Sequence, residues 1–351
     1  MLNENEKQRY LRHLKLPNVG INGQLKLKSS KIVVIGAGGL GSPVLLYLAA
    51  AGIGNMTIVD GDIVDESNLQ RQIIFDAHDI GKNKALVATN KIKKLNPLIN
   101  IHCVNEHLSL LNAEKIIKSC EYLIDCSDNF QTRFLCNDLA YFHKLILIHG
   151  SVDQFQGMVA HFKPGVDSCY RCLFPAPPKA HRQNCNETGV LGVTPGLVGI
   201  WQAIATIKSI LNIGDSQSAY SIQLDLLKTN LKRLKIKKDN ECPLCGDHPT
   251  ILNIKEESPI ICPPQFEVAS IAESSILLDI REDHEVLKND FGLKVISKSK
   301  IEKDFSLLDR KKSYTFVCTS GRRSLDLCYT LHQLGFSNVY SLKKGVSSAL
   351  I

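Results

Sequence analysis

The chain has 351 residues, a net charge of +7 and 44% hydrophobic residues, which suggests about two domains with enough apolar material for a sizeable core. No apolar run approaches the roughly 20 residues that cross a bilayer, and the charged, amphipathic start MLNENEKQRYLRHLKL lacks the apolar stretch of a secretory signal. With no basic patch interleaved with aromatics, nucleic acid is an unfavoured partner, and a cytoplasmic protein is expected.

Residues 1–30 read as helical segments joined by a turn from Pro17 to Gly23, with Arg9 and Arg12 three apart on one helix face. By residue type alone that pair is solvated charge. The next stretch, KIVVIGAGGLGSPVLLYLAAAGIGNMTIVD, is the most informative in the chain. A buried strand, Ile32–Ile35, runs into Gly36-Ala37-Gly38-Gly39-Leu40-Gly41, which satisfies G-x-G-x-x-G. A Leu/Ala-rich helix follows and ends near Gly52 and Gly54. A second strand, Met56–Val59, delivers Asp60 nineteen residues after Gly41. Glycines permit a tight turn against a phosphate, the helix N-terminus offers free N–H groups, and a carboxylate at the second strand end can take ribose hydroxyls.

Beyond Asp60, Ser67, Asn68, Gln70, Arg71 and Gln72 form a polar cluster where a strand's C-terminal end meets a loop. Lys84 lies in the opening segment of a helix from Lys82 to Leu95. An arginine fork and a lysine ammonium suit a triphosphate. The strand Tyr122–Cys126 is followed by Ser127-Asp128-Asn129. On spacing, Asp128 is either a magnesium ligand or the N-cap of the next helix. The chain then turns strand-rich, with strands at Leu145–His149 and Gly157–Phe162, a buried helix within Val190–Ile213, and strands at Ser218–Asp225 and Asn230–Ile236.

Twelve cysteines are many for a cytosolic chain, and in a reducing compartment they point to metal or catalysis. Cys169–Cys172 and Cys242–Cys245 are two C-x-x-C pairs. Four thiolates suit a closed, structural zinc site joining distant segments; the other reading is redox or buried thiols. Cys185 stands in a polar, proline-flanked loop context, where cysteines are often reactive.

Residues 249–263 form a proline-rich linker between a unit at 1–248 and a small α/β pattern at 264–351. In the latter, the strand Tyr314–Val317 ends in Cys318-Thr319-Ser320-Gly321-Arg322-Arg323. A cysteine at such a turn sits among backbone N–H groups that lower a thiol pKa and stabilise an anionic sulfur; otherwise it is a buried strand-end cysteine.

With these residues in view, residues 1 to about 250 resemble the MoeB/ThiF family of ubiquitin-activating-like adenylyltransferases, through RYLRH, GAGGLGS, VDGDIVDESNLQRQ, GKNKA, DCSDN, CYRCLFP, GVLGV and CPLCG, all in family order. The tail resembles a rhodanese domain through LLDIRE and CTSGRRS. The resemblance implies an α/β protein: a Rossmann-like ATP-binding domain with a zinc clip, then a small rhodanese-like α/β domain. It implies ATP-dependent adenylation of the C-terminal Gly-Gly carboxylate of a ubiquitin-like sulfur carrier of the MoaD/ThiS type. Sulfur transfer then gives a thiocarboxylate for molybdopterin, thiamin or tRNA thiolation.

By motif position, the turn Gly36, Gly38, Gly39 and Gly41 lies at the phosphates and Asp60 at the ribose. Ser67, Asn68, Arg71 and Lys84 hold the triphosphate, and Asp128 meets magnesium with Asn129 beside it. Arg12 reaches the nucleotide of the other subunit of a homodimer. Cys169, Cys172, Cys242 and Cys245 match the zinc ligands, Cys185 the loop cysteine of thioester or persulfide chemistry, and Cys318 the persulfide carrier, charged by a donor such as a cysteine desulfurase. The tail departs from its family: VISKSKIEK stands where His-x-Pro-Gly-Ala is usual, and Lys344-Gly345 where Gly-Gly is usual. A nicotinamide-dependent oxidoreductase shares Gly36 to Asp60 but gives no reason for Arg71, Lys84 and the paired cysteines. A non-catalytic binder of a ubiquitin-like partner gives none for an intact ATP site.

Overall fold

In the computed structural model, residues 1–165, 168–176, 189–214, 218–254, 266–272, 275–287, 290–319, 321–343 and 345–348 are described. The chain forms two compact units, Met1–Glu257 and Ser258–Ile351.

The first unit begins with three helices, α1 (Glu4–Arg9), α2 (Leu11–Leu14) and α3 (Gly20–Ser29), the third starting inside the expected turn. There follow β1 (Lys31–Ile35), α4 (Gly41–Ala51), β2 (Asn55–Val59), α5 (Lys84–Leu95), β3 (Asn100–Val104), α6 (Leu110–Ile117), β4 (Tyr122–Asp125) and α7 (Phe130–Phe142). The unit is completed by β5 (Ile146–Asp153), β6 (Gln156–Phe162), α8 (Tyr170–Leu173), α9 (Val193–Leu211), β7 (Tyr220–Asp225) and β8 (Asn230–Lys235). One sheet runs β3-β2-β1-β4-β5-β6-β7-β8. It is parallel from β3 to β5 and antiparallel from β5 to β8.

Both faces of the central strands β1 and β4 are buried, so they read as continuous apolar runs rather than alternating ones. On β1, Ile32 and Val34 join one core with Leu45 and Leu48 of α4, Ala88 of α5 and Val198 of α9. Val33 and Ile35 join the other with Ile116 of α6 and Phe134 and Leu139 of α7. Each fully buried side chain of this size contributes about 1.5–3 kcal/mol. The sheet order reverses between β1 and β4, and in such sheets ligands bind in the crevice at the strands' C-terminal ends. The register aligns those ends: Ile35 pairs with Val59 on one side and Asp125 on the other, and Asp125 pairs with His149.

The second unit holds β9 (Glu267–Val268), β10 (Ser275–Asp279), α10 (Asp283–Val286), α11 (Lys298–Lys303), β11 (Ser313–Val317), α12 (Arg322–Gln333) and β12 (Val339–Leu342). Its sheet, β10-β11-β12-β9, is parallel throughout. Its core includes Leu278, Phe316, Leu327, Leu331 and Val339. The VISKSKIEK segment forms α11, whose buried Lys298 pairs with Asp326 and Glu302. No helix among the described residues is long and apolar enough to cross a membrane.

Candidate functional site

The glycine turn is fixed by two close approaches. Gly36 has φ +91°, and a Cβ there would lie 2.9 Å from the Cys126 carbonyl oxygen; at Gly41 it would lie 2.0 Å from the Gly36 carbonyl oxygen. Leaving the turn, the Ser42 N–H and hydroxyl both donate to the Gly38 carbonyl, at 2.8 and 2.7 Å. Asp60, at the end of β2, is occupied from two sides: Oδ2 accepts the Ala37 N–H at 2.8 Å and Oδ1 the Asp62 N–H at 2.9 Å. Burial, opposed by these donors, pushes its carboxyl above the ordinary range.

The polar cluster folds back onto this turn. Asp65 accepts both the N–H and the hydroxyl of Ser67, closing a short 3-10 turn over Glu66–Asn68. The Asn68 carbonyl accepts the Arg71 and Gln72 N–H groups, and Asn68 Nδ2 reaches the Ser67 hydroxyl at 3.4 Å. Half-buried Arg71 donates from Nη1 to the Ser67 carbonyl at 3.1 Å. Its Cγ lies 3.4 Å from where a Cβ on Gly39 would stand, and the Gln72 carboxamide lies beside Gly38. Lys84 is buried at the start of α5 and donates from Nζ to Asp62 Oδ2 at 3.0 Å. The sequence reading passed over Asp62; its position just past a strand end beside Asp60 was the available signal.

At the end of β4, Asp125 is fully buried. Its Oδ1 accepts the Ser127 N–H (3.0 Å) and hydroxyl (2.6 Å), and its Oδ2 lies 2.7 Å from His149 Nδ1. Burial pushes the Asp125 carboxyl up, but His149 and Ser127 together hold it below the ordinary range. Burial pushes His149 down despite the carboxylate beside it. Asp128 is exposed, on the rim of a groove of about 620 Å³ also lined by Arg133, Tyr170, Lys228 and Lys232. Asp128 is not the cap of α7: Asn129 is, accepting the Thr132 N–H at 2.8 Å. An exposed carboxylate without a hydrogen-bond partner among the described residues suits a magnesium ion that keeps its water shell. Arg12 stands apart on α2, exposed, with no ion pair or hydrogen bond among the described residues.

The two C-x-x-C pairs converge. All four Sγ atoms lie within 4.8 Å of one another, with Cys169–Cys242 at 3.6 Å and Cys172–Cys245 at 3.3 Å. Four sulfurs about 2.3 Å from one tetrahedral zinc lie roughly 3.8 Å apart, so the set fits that ion. The N–H groups of Cys169 and Asp239 point at Cys172 Sγ, and that of Cys245 at Cys242 Sγ, each at 3.5 Å. Contact with the Cys169 thiol pulls Cys172 far down in pKa, while the same contact drives Cys169 up. The cluster packs on Tyr141 and Phe142 of α7. Between its first two cysteines, buried Arg171 grips Asp138 through Nε at 2.8 Å and Nη2 at 2.7 Å, and Tyr170 donates its N–H to Asn137.

Cys185 lies outside the described residues, as does Lys344. In the second unit Cys318 follows β11 and is buried, its Sγ 3.6 Å from the Ser324 hydroxyl. Arg323, at the end of the cysteine motif, is held by Glu285 through both terminal nitrogens, at 2.6 and 2.7 Å. Its charge is already balanced.

The sequence profile of the ThiF family matches residues 10–244. The chain is similar to the sulfur carrier protein adenylyltransferase of Thermus thermophilus, 41% identical over 70% of this chain and 93% of that one. It is also similar to the SAMP-activating enzyme E1 of Haloferax volcanii, 38% identical over 70% and 91%. The probable adenylyltransferase/sulfurtransferase MoeZ of Mycobacterium tuberculosis aligns across both units, 34% identical over 98% of this chain and 93% of that protein. The crystal structure of MccB from E. coli shares the fold, with a TM-score of 0.61 and 22% identity over 69% of this chain and 73% of that one. A glycine turn after β1, an acidic residue after β2 and a four-cysteine cluster within residues 10–244 thus accompany the match, and the chain belongs to the ThiF family.

Proposed function

We propose that the protein adenylates the C-terminal Gly-Gly carboxylate of a ubiquitin-like sulfur carrier with ATP and then converts the acyl-adenylate to a thiocarboxylate. The observation that carries this reading is Arg71 packed against Gly39, with Lys84 held beside Asp62 and Asp60 at the same crevice. An arginine against the glycine turn, with a lysine close enough to act on the Asp60 carboxylate, serves a triphosphate better than a dinucleotide. Gly36, Gly38, Gly39 and Gly41 would lie against the phosphates and Asp60 at the ribose. Ser67, Asn68, Arg71 and Lys84 would hold the triphosphate. Asp128, with Asn129 beside it, would hold magnesium, which supplies charge neutralisation when bound. Arg12 would serve the other subunit of a homodimer, and zinc would close the Cys169, Cys172, Cys242 and Cys245 cluster.

The carrier's carboxylate oxygen attacks the α-phosphorus, the bond to the β-phosphate oxygen breaks, and pyrophosphate leaves. No general base is required, because the nucleophile is already ionised. Positioning and charge stabilisation are what the protein supplies. In the second stage a persulfide on Cys318, charged by a donor such as a cysteine desulfurase, attacks the acyl carbon and AMP departs. A second thiol then attacks the Cys318 sulfur, leaving a disulfide and freeing the thiocarboxylate, and Cys185 is kept for thioester or persulfide chemistry with the carrier. Sulfur transfer as the second stage is supported by the likeness along both units to an adenylyltransferase/sulfurtransferase.

The test is to mix the protein with ATP, magnesium and each candidate Gly-Gly-ending carrier and follow the carrier's mass. A carrier gaining AMP, then the mass change of thiocarboxylate once a sulfur donor is added, is the expected result. NAD binding with no carrier-dependent exchange of pyrophosphate into ATP would overturn the reading.

A further inference from the structure

We infer that His149 is a positioning residue for the Asp128–Asn129 segment, acting through Asp125 and Ser127. The inference rests on reading Asp128 as a contact for magnesium–nucleotide. Asp125 and His149 face one another across β4 and β5 with side chains 0% and 1% exposed. A carboxylate in so dry a place is costly unless every lone pair in use has a donor. Here Oδ2 has the imidazole, and Oδ1 has the Ser127 N–H and hydroxyl. The main chain at the same point is held too, since Gln202 of α9 donates from Nε2 to the Asp125 carbonyl at 2.8 Å.

Imidazole Nε2 has no partner among the described residues, and the ring lies 4.8 Å from that of Tyr170. A neutral ring protonated on Nδ1 is the form that leaves no buried N–H unsatisfied. Nothing in the packing of β4 on β5 requires a charge at this place. An apolar pair would fill it without a desolvation penalty, as the residues around it do. What the pair adds is a connection outward to Ser127. Asp128 therefore stands between two anchored neighbours, Ser127 on the Asp125 carboxylate and Asn129 capping α7, while its own carboxylate faces solvent. Anchors on both sides fix the main chain from which the Asp128 carboxylate projects before the ion arrives, and outer partners that hold a ligand in place are worth about 10–100-fold in affinity or activity where they have been removed.

The experiment titrates magnesium into the full-length protein with α,β-methylene-ATP by calorimetry, with Tm recorded for each variant. His149→Leu is expected to weaken the apparent magnesium affinity by about tenfold or more. His149→Asn, which places Nδ2 where the ring carries Nδ1, should restore most of it. Ser127→Ala removes the hydroxyl donor from Asp125 Oδ1 and leaves the Ser127 N–H in place, so it should reproduce part of the loss, with Tm lowered by about a few degrees. It carries the test if His149→Leu fails to fold. His149→Asn as impaired as His149→Leu, or Ser127→Ala with unaltered affinity, overturns the proposal. Asp128→Ala is the separate control: if it leaves magnesium binding intact, the assignment of Asp128 fails rather than the role of His149.

Discussion

Arg71 shows how one side chain combines two duties. Its stem packs on Gly39 and its guanidinium holds the Ser67 carbonyl, so it braces the loop that carries it. Shortening it to alanine should lower the rate of carrier-dependent pyrophosphate exchange by about 10²–10³-fold, the usual loss when one transition-state donor is removed. An exchange rate within a few-fold of the parent would show that Arg71 only braces. The buried pair Asp125–His149 has a consequence for acid stability. Both groups have depressed pKa values in the folded chain. The unfolded chain therefore takes up protons first: stability from His149 is complete above its ordinary pKa of about 6.5 and is lost as pH falls below it. The Asp125 contribution is lost further down, below about 4. Urea midpoints should decline from pH 8 to pH 5, and His149→Asn should flatten the first part of that decline.

At the level of elements, the strands and glycine-bounded helices of the first unit were legible because burial on both faces leaves a continuous apolar signature, as in Ile32–Ile35. The α4 boundary was legible too, since Gly52 ends it in the left-handed region at φ 85°. What escaped were pairings across elements. Asp125–His149, Lys84–Asp62 and Arg171–Asp138 join residues more than twenty positions apart, and only sheet register or helix packing brings them together. The α7 cap was open for a similar reason: Asp128 and Asn129 are equal candidates by type, and backbone geometry selects Asn129. Helix α6 was not assigned although five of its eight residues are apolar, three of them buried, because so short an element gives only about two turns of periodicity. The cysteine clip was fully visible by spacing, but not that Arg171, inside its first knuckle, ties it to α7. Zinc in small four-thiolate modules contributes on the order of 10 kcal/mol of folding free energy. Prolonged treatment with a chelator should thus lower Tm and make Cys172 and Cys245 reactive to thiol reagents. Unchanged Tm and unreactive thiols would argue that no structural metal is held there.

For the whole molecule, two units with separate cores predict separable chemistry. Cys318→Ala should leave pyrophosphate exchange intact while abolishing thiocarboxylate formation from a persulfide donor. Equal loss of both would mean that the second unit is needed for adenylation itself. The strand β5 imposes a different kind of constraint. It is paired in parallel with β4 up to His149 and antiparallel with β6 from Leu147 to Asp153. Because side chains alternate along a strand, one inserted residue before His149 would turn His149 to the opposite face and shift the register of one neighbour against the other. The exposed turn at 226–229, joining β7 to the edge strand β8, carries no such double commitment. Among related chains, gains and losses of residues should therefore collect at that turn and be absent from β5. The history of the lineage is in this sense channelled by the one strand that belongs to both halves of the sheet.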